Sequence, residues 1–224
     1  MQGMFGTKIN KKQFQNKMKW KQLFIDGVIC CGKTSALFNL EPIKLPICHY
    51  EIDNHDFDFH EENIESEMIR LLWDLNKINL FSHIIMDYSF YHKIVCRYCF
   101  YILNKQKSIL DFKHFIDNEI VKNVLMAYPT LFVILNKSDI KAITDIENIM
   151  ISKEKNFIFS CKEYIILQNN LFHEIKEANI KNTFFYEKPK NVNIFSTIYY
   201  NMIEREIIRT FLNIKSVNSF VFTD

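Results

Sequence analysis

Gly27, Gly32, Lys33 and Thr34 fall in one short run, Gly27-Val28-Ile29-Cys30-Cys31-Gly32-Lys33-Thr34, whose spacing suits a polyphosphate. Glycines let the chain fold back until successive backbone N–H groups point at one anion. The first turn of a following helix adds positive potential, a lysine bridges β and γ oxygens, and a hydroxyl ligates Mg2+. Lys33 and Thr34 are of the types the last two tasks need, and Ser35 continues the turn. Cys30 and Cys31 stand where small residues are common; their sulfurs are expected to lie against the phosphate, crowding it or open to oxidation. Were the loop a vestige, Lys33 would be expected to be exposed and to add little stability, since an ammonium at a helix N-terminus opposes the helix dipole.

Such a pattern has meaning only between a strand and a helix. Residues 21–26, KQLFID, form a short apolar run ending in Asp-Gly, and SALFNL after the motif reads as helix. Further strands are predicted at 46–52, 83–87, 130–136 and 183–187. Helical patterns lie at 90–104, 110–127, 140–150, 161–177 and 195–212. Ile64, Met68, Leu71, Leu72, Leu75 and Ile78 recur at helical spacing and predict a covering helix over 60–80. Strand alternating with helix implies an α/β fold, a parallel sheet of about five strands covered by helices on both faces, with ligands at the carboxyl ends of the strands. Asp26, Glu51, Asp87 and Glu187 all fall at such ends.

The bulk composition narrows the class. At 224 residues and 48% hydrophobic content the chain can bury a full core, and with only 4 Gly and 4 Pro it has no linker. One domain at 19–224 is expected after a basic, solvated arm at 1–18. A net charge of +2 argues against nucleic acid as the primary partner. Six cysteines, two of them adjacent, fit a reducing compartment. Cys96-x-x-Cys99 lacks a second pair and reads as buried small side chains, while His49, His55 and His60 read as a polar loop; neither group is assigned a metal. No signal-like run and no window of ~18 uncharged apolar residues is found, so a soluble intracellular protein without a membrane partner is expected.

The run FIDGVICCGKT resembles the opening of the herpesvirus-type thymidine kinases and related deoxynucleoside kinases. The order of elements is similar over about 20–190, with letter matches concentrated at the loop, around Asp87 and in PTLFVIL. The resemblance implies the P-loop kinase fold, ATP and Mg2+ as cofactors, and phosphoryl transfer to the 5′-hydroxyl of a pyrimidine deoxynucleoside such as thymidine. It further implies Glu51 as the carboxylate taking the sugar proton, with Asp53 the alternative, and Asp87 as a Mg2+ partner of Thr34. Family members carry Asp/Glu-Arg-Ser at the end of the third strand; this chain reads Asp87-Tyr88-Ser89. Arg97, in a stretch similar to the family's Arg-Tyr-x-Phe, is then implied to stabilise charge together with Lys33. Tyr88 and Trp73 fall on the nucleoside side, where aromatics either stack a base or fill the core, and Asn63, Asn76 and Asn79 stand in for the family's base-reading glutamine.

The family's arginine-rich lid has its counterpart at 140–168, which holds no arginine, only Lys141, Lys153, Lys155 and Lys162. Two alternatives therefore stay open: a degenerate kinase-fold protein with a binding or structural role, and a thymidylate-type monophosphate kinase. The resemblance also implies a homodimer through helices 90–104 and 110–127, and, for a viral protein, the host-cell cytoplasm.

Overall fold

A computed structural model describes residues 7–9, 22–40, 47–49, 84–87, 89–152, 161–212 and 220–222, with backbone alone for 7–9, 47–49, 84, 90, 212 and 220–222. In chain order the elements are β1 (Thr7–Ile9), β2 (Gln22–Gly27), α1 (Lys33–Phe38), β3 (Ile47–His49), β4 (Ile84–Asp87), α2 (Phe90–Leu103), α3 (Ile109–Asp117), α4 (Glu119–Leu125), β5 (Thr130–Ile134), α5 (Ile140–Ser152), α6 (Lys162–Glu177), β6 (Thr183–Glu187), α7 (Thr197–Leu212) and β7 (Phe220–Phe222).

The main sheet has five strands in the order β3-β4-β2-β5-β6, all parallel. Leu23–Ile25 and every residue of β5 are buried, as the uninterrupted apolar runs demand of central strands covered on both faces. One helical group, α7 on α1, rests on β5 and β6; the other, α2, α3 and α5 around α6, rests on β2 and β5. From central β2 the chain goes out to edge strand β3, returns to β4, and then crosses to β5 on the other side of β2. The carboxyl end of β2 lies at that reversal, where open α/β sheets bind ligands.

Ile25 pairs with Asp87 and Gly27 with Val133, so the motif loop leaves the sheet between the ends of β4 and β5. Beneath it Phe132 contacts Tyr91 edge-on at 4.9 Å between centroids, stacks on Phe185 at 5.0 Å and meets Phe172 at 5.5 Å, an apolar floor that fixes the strand ends.

Two local features depart from the sequence reading. The expected helix over 110–127 is two helices, because Asn118 is extended (φ −63°, ψ 129°) and its side chain accepts from the N–H groups of Ile120 and Val121 at 2.9 and 3.4 Å. An asparagine that caps new N–H donors competes with continuing the old helix. Within the segment read as an arm, Thr7–Ile9 pairs in parallel with Phe220–Phe222, a two-stranded sheet separate from the main one. The helix predicted at 60–80 lies outside the described residues.

Candidate phosphate-binding site

The loop is shaped by two glycines with no substitute. Gly27 has φ 127°, and a Cβ there would sit 1.9 Å from the Val133 carbonyl oxygen, so the end of β2 can lie against β5 only without a side chain. Val28 N–H then donates to that same carbonyl at 3.1 Å. Cys30 takes a left-handed φ of 54°, and Gly32, at φ 87°, starts α1; a side chain at Gly32 would strike the Tyr200 ring at 2.9 Å. Ala36 N–H is the first to bond back along α1, to Gly32 O at 3.0 Å, and no side chain caps the helix. The N–H groups of Thr34 and Ser35 are thus the orphan donors that a helix start leaves for an anion.

Lys33 is buried, 3% exposed, and its ammonium donates to Gly27 O at 3.0 Å and Val28 O at 2.7 Å. This corrects the expectation of an exposed, energetically neutral lysine: the cation closes the loop on its own carbonyls, bonds that a phosphate must share or replace. Thr34 Oγ1 donates to Asp87 Oδ2 at 2.7 Å, across from α1 to the end of β4. The adjacent cysteines differ from one another. Cys30 is half-buried, whereas Cys31 is fully buried with its thiol 3.5 Å from Val133 O; burial, partly offset by Lys33, pushes that thiol up to about 11. The Cys31 sulfur is enclosed in the core beneath the loop, which corrects the expectation that it lies open to oxidation.

Asp26 ties the loop to the next strand. Fully buried, its carboxylate accepts from Gly27 N–H at 2.7 Å, from the Ser89 hydroxyl in a short bond, and from His92 Nδ1 at 3.1 Å. Ser89 in turn caps α2 through the Tyr91 N–H at 3.1 Å. Burial opposes charge on His92, but Cys96 and the Asp26 carboxylate outweigh it and raise the imidazole to about 10, which favours an imidazolium beside Asp26.

Polar side chains of α6 and of the segment after β5 brace the strand ends. Gln168 Oε1 accepts from Ile29 N–H at 2.8 Å, and Asn169 takes Leu135 N–H at 3.0 Å while donating to Leu135 O at 3.2 Å. Lys188 and Asp139 form a buried ion pair at 2.7 Å, and Asp139 also caps α5 through Ala142 N–H at 3.1 Å. Glu187 is occupied structurally. Burial works against its charge, but the Lys176 ammonium at 3.0 Å and the Asn136 amide at 2.9 Å hold its carboxyl below the ordinary value.

Of the residues singled out in the sequence, Gly27, Cys30, Gly32, Lys33, Thr34 and Ser35 share the loop and helix start, and Asp87 joins them through Thr34. Arg97 is buried on α2 beside Cys96. Glu51, Trp73 and Tyr88 lie outside the described residues. Sequence reasoning missed His92, Gln168 and the Asp139–Lys188 pair. Gln168 had left a signal: it stands on the apolar stripe Tyr164, Ile165, Leu171, Phe172, Ile175 of α6, a polar residue at a core position.

A hydroxyl and a carboxylate in contact at the mouth of the loop are the hard oxygen donors Mg2+ takes alongside substrate phosphates and water. Among the described residues no cluster of His, Cys, Asp and Glu could hold a metal by itself, so an ion here would depend on phosphate oxygens for the rest of its shell. No helix of the described residues is long and apolar enough to cross a membrane.

No protein-family model matches the chain, and no curated protein matches it. Solved structures do. Deoxyadenosine kinase from M. mycoides with bound dATP aligns at a TM-score of 0.53 and 15% identity, covering 84% of this chain and 99% of that one. The same kinase with products dCMP and a flexible dCDP bound aligns at 0.51 and 16%, covering 83% and 98%. The chain therefore has the fold of that kinase over 84% of its own length and 99% of the kinase's.

Proposed function

We propose that the chain is a deoxynucleoside kinase, transferring the γ-phosphoryl group of ATP to the 5′-hydroxyl of a deoxynucleoside. The observation that carries the reading is the contact of Thr34 with Asp87 at 2.7 Å, beside a glycine-shaped loop and a helix start that leave backbone N–H donors uncapped by any side chain. The fold adds support: deoxyadenosine kinase from M. mycoides, which shares it at a TM-score of 0.53, is seen with bound dATP.

In this account the backbone N–H groups around Gly32–Ser35 hold the β-phosphate, and Lys33 turns from its loop carbonyls to the β and γ oxygens. Thr34 and Asp87 would hold Mg2+, whose chemistry is to neutralise charge on the transferring phosphoryl group. The 5′-oxygen attacks the γ-phosphorus, the bond to the β–γ bridging oxygen breaks, ADP leaves, and the hydroxyl proton passes to Glu51, two residues past the end of β3. Arg97 supplies positive charge in place of the motif arginine. The resemblance would give Tyr88 and Trp73 the nucleoside side. Incubating the protein with labelled ATP and a panel of thymidine, deoxycytidine, deoxyadenosine and thymidylate tests the reading: a Lys33-dependent labelled monophosphate is expected with a nucleoside, and none with any acceptor sinks it. A diphosphate formed from thymidylate would instead identify a monophosphate kinase.

One feature favours a second reading, a phosphate-binding protein without turnover: from Tyr98 to Glu204 the chain has no arginine, so α5 and α6 offer lysines alone to a transferring phosphoryl group. That reading predicts nucleotide binding with no product. A homodimer belongs to the proposal as well, through helices 90–104 and 110–127, where Leu110 of α3 and Ile120 of α4 are 59% and 74% exposed; sedimentation as a monomer at micromolar concentration would remove it.

A further inference from the structure

Gln168 spans three elements. Its Oε1 accepts from Ile29 N–H in the loop at 2.8 Å, across 139 residues of sequence. Its Nε2 points the other way, 3.9 Å from Cys96 Sγ on α2. The same sulfur accepts from the Tyr164 hydroxyl at 3.2 Å, and Cys96 lies beside His92, the imidazole that meets Asp26. This sets the orientation of the amide. Flipped, the NH2 group would oppose the Ile29 N–H, donor against donor, and the oxygen would face a weak acceptor.

The side chain is fully buried on the apolar stripe of α6, where a leucine would pack at no polar cost. What the glutamine does at that position is hold the loop. Ile29 precedes Cys30, whose left-handed φ of 54° is unfavourable for a residue with a side chain and must be imposed by its surroundings. Fixing the Ile29 N–H on one side of Cys30, as the helix start at Gly32 fixes the other, imposes it. The donors of Thr34 and Ser35 follow the turn and take no part in the Gln168 contact, so Gln168 organises the loop without occupying the groups that meet phosphate.

We propose that Gln168 is a positioning residue for the phosphate loop, coupling α6 to the nucleotide end of the site. The proposal rests on the loop being an ATP site. It predicts a specific kinetic signature: loss of the amide should weaken ATP and leave the nucleoside untouched, since among the described residues Gln168 bonds the loop and α2 and not edge strand β3, past whose end Glu51 lies in sequence.

The test is Gln168→Met, which keeps the length and volume and removes both polar ends. Expected are an unchanged circular dichroism spectrum, a KM for ATP raised about tenfold, the effect of one lost hydrogen bond, and a KM for the nucleoside within about twofold of the parent. Equal KM values for ATP in the folded variant and the parent overturn the proposal alone. A parent protein with neither ATP binding nor turnover overturns the ATP-site reading and this proposal with it, and the parent measurement by itself identifies that case. Amide exchange in the unmodified full chain gives an independent reading should the variant not fold: the Ile29 amide is expected to exchange as slowly as the amides of α6, and exchange at the rate of an open loop overturns the bond.

Discussion

Thr34 and Asp87, 53 residues apart in sequence, meet through a 2.7 Å hydrogen bond from hydroxyl to buried carboxylate. The contact exists because β4 lies beside β2 with Asp87 opposite Ile25, so that the strand end arrives next to the helix that the loop starts. One register shift along β4 would turn Asp87 to the other face and part the pair. The candidate site is therefore a property of sheet register as much as of the loop motif.

Gly27→Ala should fail structurally. The added Cβ would fall 1.9 Å from backbone oxygen of Val133, at a φ of 127° that alanine rarely adopts. Backbone must move to relieve it, and a cost of about 3 kcal/mol or more is expected. Urea unfolding measures this; a loss under about 1 kcal/mol would mean that β2 and β5 are not held this closely.

The neighbouring cysteines should react unequally. At pH 8 a thiol raised to about 11 is roughly one-thousandth thiolate, and Cys31 is in addition fully buried, while Cys30 is half-buried in the loop. Iodoacetamide followed by peptide mapping should mark Cys30 well before Cys31, and Mg-ATP should slow the marking of Cys30. Equal labelling would contradict the burial of Cys31.

The Asp26–His92 pair predicts a pH dependence of stability. The folded imidazole is raised to about 10 against about 6.5 in the unfolded chain. The proton it keeps therefore stabilises the fold fully below about pH 6.5, and the contribution drains away as pH rises toward 10. Among the described residues, the groups that raise the ring's pKa are Asp26 from β2 and Cys96 on its own helix. Between pH 6.5 and 9, below the range where the raised Cys31 thiol and the buried tyrosines titrate, stability should fall by up to about 1.4 kcal/mol per pH unit. His92→Gln should flatten that slope. A parent slope near zero would show that His92 is neutral in the folded protein.

The sequence carried the architecture well because each central strand is an apolar run with a turn signal, and β6 was placed residue for residue at 183–187. The loop was legible for a similar reason, a local spacing with a local physical meaning. What escaped were relationships made by distant segments. Nothing near His92 in the chain names Asp26 as its partner, and Lys188 pairs with Asp139 only because β5 and β6 are neighbours. The burial of Lys33 was misjudged because the carbonyls it binds belong to its own loop, whose fold depends on Val133. The break at Asn118 was readable as a cap inside an apolar pattern, and the periodicity on both sides obscured it.

The central claim, that this loop holds the phosphates of ATP, is tested most directly by thermal unfolding of the parent and of Lys33→Ala with and without Mg-ATP. At a hundred times the dissociation constant, bound nucleotide adds about 2.7 kcal/mol, a rise of roughly 5 to 10 °C for a chain of this size. Lys33→Ala should begin lower than the parent, having lost its bonds to Gly27 O and Val28 O, and should show little or no rise. No rise in the parent, or an equal rise in both proteins, would contradict the account.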